Sequence, residues 1–283
     1  MKKKWSERIG FFLLTLSAAL VVGFLGIIVF DIVSKGAGVL SWEFLTQPPS
    51  QGMTEGGIFP AILGTFLVSI ITVLFAVPLG MFAAVYLNEY ARAGRTTRLI
   101  RLAIRNLSGV PSIVYGLFGV VLFVQMMQFG TCVLSAGLTL GLLTLPWTIT
   151  ASEEALKTVP KAYRDGALAL GATKWYAIRT NVLPYAVPGM LTGVILGLAR
   201  AAGETAPILF TGAAFFLPHL PKSLFDQFMA LPYHLYIMAT QHHDIAKVRP
   251  IAYGTALVLL MLILLLSTTA IWIRYRYRQS MKG

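Results

Sequence analysis

Charge is scarce in this sequence. Asp, Glu, Lys and Arg make up 12% of its 283 residues, where a soluble domain has about 25%. Acid is scarcer than base: 11 Asp and Glu stand against 23 Lys and Arg, for a formal net charge of +12. The single cysteine, Cys132, excludes an internal disulfide and makes no metal site by itself. It reads as a small apolar residue in a packed helix. His219, His234, His242 and His243 match no metal-ligand spacing. Ser108 and Ser112 lack a paired histidine and carboxylate, so no catalytic residue is assigned. No nucleic-acid-binding motif occurs despite the net charge.

What is abundant is apolar surface. Hydrophobic residues make up 57% of the chain and the mean hydropathy is +0.74. Several apolar runs approach the ~20 residues that span a bilayer as a helix. The basic start MKKKWSER precedes a run over 9–30 that is too long for a signal peptide and reads as a first transmembrane helix. Residues 34–57 hold Gly36, Gly38, Pro48, Pro49, Gly52, Gly56 and Gly57, which is loop chemistry, with a short interfacial helix expected around 42–45. Further spans are expected at about 58–87, 107–127, 132–150, 185–216 and 251–273. Pro78, Pro111 and Pro207 are expected to break the second, third and fifth of the six spans. The stretch 217–250 reads as an outer loop, suited to contact a binding protein.

Six spans put both termini on one side. The N-terminus holds four of the 23 Lys and Arg, the link after span 2 five, the link after span 4 five, and the tail four. The positive-inside rule therefore places these segments in the cytoplasm and explains the net charge without nucleic acid. Trp272 and Tyr275 read as interface anchors.

The link after span 4, residues 153–184, is the longest polar helix-forming segment. Pro160 suits the first turn of a helix, with Thr158 close enough to cap it and Asp165 early within it. Gly171 interrupts the pattern. Thr173 can cap a second helix over 174–182, which Pro184 limits. The small residues Gly166, Ala167 and Gly171 leave room for another surface. Residues 166–173 have the spacing of a phosphate-binding loop, but Ala172 stands where a lysine is needed. Any ATP is therefore expected on another polypeptide, and no cofactor is expected on this one.

In span 5, Gly189, Gly193, Gly197, Arg200 and Glu204 fall within about 40° of one helix face. An Arg at mid-helix costs about 2.5–3.5 kcal/mol on insertion scales, so this face avoids lipid. It is expected to line a pathway; an ion pair that only locks two helices is the alternative. The fork of an arginine suits a tetrahedral oxyanion. A neighbouring carboxylate is useful if that anion carries a proton, as phosphate does at neutral pH and sulfate does not. Arg200, Glu204 and Thr205 are the substrate-pathway candidates. A break at Pro207 would let a helix N-terminus receive an anion; from sequence the break itself stays open.

Two motifs carry a family resemblance. Asp165-Gly166-Ala167, then Gly171 after three residues, then Asn181-Val182-Leu183-Pro184 after nine, resembles the EAA loop of bacterial ABC importer permeases. The first two positions depart from Glu-Ala, and Asn181 replaces Ile. Residues 200–207, Arg-Ala-Ala-Gly-Glu-Thr-Ala-Pro, resemble the signature of phosphate-specific permeases, PstA type, as do 109–116 and 230–236. The resemblance covers roughly 58–275. It implies an all-α membrane protein with six transmembrane helices in the type-1 (MetI-like) importer fold. The expected division is an N-terminal helix and outer loop (1–57), a transporter domain (58–275) with a coupling helix at about 158–178, and a basic tail (276–283). Asp165, Gly166, Ala167 and Gly171 would dock an ATPase subunit. The implied partners are a PstC-like second permease, two ATPase subunits and a periplasmic phosphate-binding protein, with inorganic phosphate as substrate. Another oxyanion, such as sulfate or molybdate, and a membrane scaffold that reports phosphate status are the alternatives.

Overall fold

A computed structural model describes residues 2–217 and 219–280, with side chains from Arg8 to Gln279. The lysines of the basic start and residues 281–283 of the tail lie outside the described side chains. Helix α1 (Lys2–Gly36) is followed by α2 (Trp42–Thr46), where the Ser41 hydroxyl accepts from the Phe44 N–H at 3.0 Å. This is the short helix expected from the tryptophan and its polar lead-in. A two-residue ladder then pairs β1 (Pro49–Ser50) with β2 (Glu55–Gly56).

Helix α3 (Phe59–Val85) runs without interruption through Pro78 and continues as a wider turn over Tyr86–Tyr90. The break expected at Pro78 is therefore not present. Helix α4 (Arg95–Leu107) comes next, then α5 (Ser112–Gly119) with a wider extension to Met126. The two arms meet at 103° across a short break that holds Pro111. Proline disfavours helical geometry in the residue before it, here Val110, which ends the first arm. The third span is thus a basic surface helix turned into a short apolar one. Helix α6 (Val133–Lys157) outlasts its expected end by two turns, because Ala151–Lys157 still has a buried face. Cys132 is buried at its N-cap, where Sγ accepts from the Ser135 N–H at 3.4 Å, rather than inside a helix.

Helices α7 (Lys161–Ala169) and α8 (Lys174–Ala177) flank a turn at Gly171, whose φ of +82° favours glycine. The Thr173 hydroxyl caps α8, as expected. Thr158 does not cap α7; its hydroxyl donates to the Ala155 carbonyl at 2.7 Å and closes α6. Nor does Pro184 stop the second helix. A wide turn over Ile178–Val182 passes directly into α9 (Leu183–Gly203), and Pro184 occupies the first turn of α9, where no N–H is needed. Then follow α10 (Ala206–Thr211), α11 (Leu231–Thr240) and α12 (Ile245–Ser280). The tail expected from residue 276 is thus helical as far as described.

Among the described residues five helical stretches are long and apolar enough to cross a membrane, or six if the bent pair is one span. The protein is a multi-pass membrane protein. Helix α6 is its centre, packed between α3 and α9. Buried Thr65, Ser69, Thr72, Thr139, Thr144 and Thr148 each donate to the carbonyl one turn back, so they cross the core without unpaired polar groups. Helix α1 touches the rest mainly along α12 and leaves its apolar sides open, as lipid-facing residues must be.

The stretch 217–250 is not an open loop. Helix α11 returns against α3 and α12 and buries Leu231, Pro232, His234, Ile237 and Met238. The Thr65 hydroxyl, from α3, accepts from the Leu231 N–H at 2.8 Å and satisfies its N-terminus. Ten residues are too few to span a bilayer but suffice for a short helix buried against α3 and α12.

Candidate functional site

The glycine stripe of α9 packs against α6. A methyl group on Gly193 would collide with the Ala151 side chain, and one on Gly189 would lie 2.8 Å from that of Ala155. The stripe is thus a close helix contact, of the kind small residues permit in membranes. Arg200 ends it. It lies in the last turn of α9, roughly 26 Å along the axis from Leu183 at a rise of 1.5 Å per residue, and level with the middle of α6. Its guanidinium carbon stands 5.4 Å from the centroid of the Trp147 ring on α6. Its Nε donates to Oε1 of Glu204 at 3.3 Å.

The expected break before Pro207 is present. Glu204 leaves helical geometry at φ −76° and ψ 132°, and α10 starts two residues on with Pro207 in its first turn. Glu204 therefore pairs with Arg200 from an extended backbone, not from the next helical turn. The Arg200 side chain is 45% exposed and that of Glu204 17%. Arg200 thus faces outward with free N–H groups, while Glu204 points into a crevice with Thr65, Ser69 and Pro232. Thr205 is half-buried beside them and caps nothing. Helix α10, six residues long, is too short to offer an anion site at its N-terminus. Arginine held over tryptophan and flanked by one carboxylate is a cation whose charge is only partly answered. It can take an anion from solvent without first losing its partner.

At the other end of α9 lies the polar segment of α7 and α8. Asp165 and Gly166 are exposed, and a side-chain carbon on Gly166 would meet nothing within 4 Å. Ala167 differs: it is buried within the chain, so it supports the helix rather than offering a surface. Asp165 is the fifth residue of α7, past the first turn where the helix dipole acts. Leu170 is 90% exposed, and Leu168, Trp175 and Tyr176 are open around it. Exposed apolar patches of this kind occur at protein and membrane contacts.

Reading the sequence missed the clamp that holds this segment. Arg164 of α7 donates to both carboxylate oxygens of Glu89 at 2.6–3.1 Å. It also donates to the carbonyls of Val159 at 2.9 Å and Leu156 at 3.1 Å. Asn88 adds a hydrogen bond to Glu89 at 2.8 Å. The turn after α3, the end of α6 and α7 are therefore tied together. A second pair, Arg101 to Glu153 at 2.7 Å, ties α4 to α6, and Arg101 Nη2 donates to the Leu87 carbonyl at 2.9 Å. Only a lone acid near the end of an apolar run could have signalled Glu89.

Residues 76–283 match the family model described as binding-protein-dependent transport system inner membrane component. A probable ABC transporter permease protein, YqgI of Bacillus subtilis, is 32% identical over 96% of each chain. The phosphate transport system permease protein PstA 2 of Mycobacterium bovis is 35% identical over 83% of this chain and 76% of its own. PstA of Xylella fastidiosa is 32% identical over 84% of this chain and 82% of its own. Among solved structures, a bacterial ABC transporter involved in the import of the acidic polysaccharide alginate superposes with a TM-score of 0.65 at 12% identity. It covers 97% of this chain and 96% of its own. The inward-facing MetNI methionine ABC transporter gives 0.58 at 16% identity, over 78% of this chain and 94% of its own. The fold is that of the type-1 ABC importer permeases, and the chain belongs to the family of binding-protein-dependent transport system inner membrane components.

Proposed function

We propose that this chain is the PstA-type permease subunit of an ATP-driven importer of inorganic phosphate. One observation carries the substrate: Arg200 stands half-exposed over Trp147, paired with Glu204, where α9 breaks. The arginine fork binds two oxygens of a tetrahedral anion. The Glu204 carboxylate accepts a hydrogen bond from the P–OH that phosphate carries at neutral pH and repels sulfate, which has no such proton. The relatives at 32–36% identity whose names specify phosphate transport support the same substrate.

The chain forms one half of the path, and a PstC-like permease forms the other. Two ATPase subunits bind the ATP, one of them on the exposed patch of α7 and α8. A periplasmic phosphate-binding protein delivers the anion to the opposite end. The basic segments lie in the cytoplasm, with both termini, by the positive-inside rule. The continuous helix from Lys174 to Gly203 links the ATPase patch to Arg200 without an intervening loop.

The test is uptake by the assembled transporter in vesicles. Arg200→Gln should abolish phosphate uptake while ATPase subunits still assemble. Glu204→Gln should admit sulfate. Unchanged phosphate uptake and unchanged rejection of sulfate in Glu204→Gln would refute the role given to this pair. Sulfate or molybdate as the preferred substrate of the native protein would replace phosphate with another oxyanion. Phosphate flux that survives Arg200→Gln would favour a scaffold that reports phosphate status.

A further inference from the structure

A second cavity lies remote from Arg200. It has a volume of about 720 Å³ and opens at the end of the molecule where the basic segments gather. Its walls come from three parts of the fold. Tyr163 belongs to α7, Asn181 to the wide turn before α9, Tyr185 and Thr192 to α9, and Arg274 and Arg278 to α12. No Asp or Glu lines it. Arg274 donates through Nη1 to the Thr192 hydroxyl at 2.8 Å, which fixes its guanidinium against α9 and leaves its other N–H groups free. Among the described residues neither Arg274 nor Arg278 forms an ion pair, whereas Arg101 and Arg164 do. Asn181 donates to the Tyr163 carbonyl at 3.3 Å, and the rings of Tyr163 and Tyr185 meet at 5.3 Å, so the far wall is built rather than open.

We propose that this cavity binds a phosphate-bearing anion, either the headgroup of an anionic glycerophospholipid or free inorganic phosphate. Arg274 and Arg278 sit one helical turn apart on α12, so their forks converge on one group with two to four charge-assisted hydrogen bonds. The Thr180 and Thr192 hydroxyl protons are given to the Tyr176 and Pro188 carbonyls, so the neutral donor left for a remaining oxygen is the second N–H of the Asn181 amide. On other faces of the same turns of α12, Trp272 and Tyr275 are exposed, the residue types that mark the level of lipid headgroups. Its volume exceeds what a lone phosphate needs and leaves room for a glycerol headgroup. A bound anion would bridge α7, α9 and α12. It would hold the ATPase-facing helix against the last span and so set how readily that helix moves. The site is separate from the path assigned to Arg200, and its existence does not depend on the substrate proposed for that path.

The experiment uses the full transporter complex in nanodiscs. In the lipid arm, nanodiscs contain phosphatidylcholine with a minority of phosphatidylglycerol, and native mass spectrometry counts the lipids that stay on the protein. In the phosphate arm, nanodiscs contain phosphatidylcholine alone, the permease carries Arg200→Gln, and equilibrium dialysis measures bound radiolabelled phosphate. The expected result is saturable retention in one arm, one anion per copy of this chain. Arg274→Gln with Arg278→Gln should weaken it by about tenfold or more, the scale of lost charge-assisted hydrogen bonds. Arg274→Lys with Arg278→Lys keeps the charge and the fold and should retain most of the binding. Retention of phosphatidylglycerol identifies a lipid site; retention of phosphate alone identifies a solute site. Equal retention of both lipids together with no bound phosphate would overturn the proposal, as would a glutamine pair that binds like the native protein.

Discussion

Truncating Leu170 to alanine should leave the permease intact and detach its ATPase. Leu170 follows α7 and is 90% exposed, so its side chain contributes almost nothing to the fold of this chain. The substitution removes three carbons. If the ATPase buries them, the loss is about 2.4 kcal/mol at ~0.8 kcal/mol per buried carbon. That corresponds to an affinity lower by roughly fifty-fold. The assay immobilises the permease pair in nanodiscs and titrates purified ATPase subunit, with thermal melting of the permease as the control for folding. Leu264→Ala, at a residue 57% exposed on a membrane span, is the companion that should change nothing. An ATPase affinity within twofold of native for Leu170→Ala would refute the idea that this patch is the docking face.

Other outcomes follow from the same structure. Glu89→Gln and Arg164→Gln each strand a buried partner and should cost about 3–5 kcal/mol of local stability. Uptake per ATP hydrolysed should fall, and the double exchange Glu89→Arg with Arg164→Glu should recover part of it; no recovery would mean the pair is not acting as a clamp. Gly171→Val places a branched side chain at φ +82° and should cost at least ~1–2 kcal/mol, whereas Gly171→Asn should be mild. Comparing ATPase assembly of the two separates turn strain from simple bulk. Burial pushes the His234 imidazole down to about 4, so its neutral form is favoured in the folded protein. Its contribution is full above the unfolded value near 6.5 and is lost as pH falls from there toward 4. The acid penalty is on the order of 3 kcal/mol. Hydrogen exchange of α11 should accelerate over that range in the native protein and much less in His234→Phe.

Much of the fold was legible because apolar run length reports directly on membrane crossing. The six spans, the short helix at Trp42, the cap at Thr173 and the turn at Gly171 all follow from local chemistry. What was not legible depends on partners distant in sequence. Helix α11 hides in a proline-rich stretch because its ten residues, His234 and Thr240 among them, resemble a loop until α3 and α12 cover them. Pro78 reads as a break, yet α3 carries through it, since packing against α6 holds both sides. The Arg200–Glu204 pair was visible as a spacing, and the structure keeps the contact while moving Glu204 off the helix. Glu89 and Arg164 are 75 residues apart and no periodicity joins them. Ala167 was grouped with its exposed neighbours because one helix turn has two sides, and only the tertiary contact says which is buried.

The most direct test is ATP-driven uptake in proteoliposomes that hold this chain, a PstC-like permease, the ATPase subunits and the phosphate-binding protein. Radiolabelled phosphate should accumulate only with ATP, sulfate should not compete, and Arg200→Gln should stop the flux while ATPase assembly persists. Accumulation of phosphate at the native rate with Arg200→Gln, or accumulation of sulfate in place of phosphate, would contradict the reading.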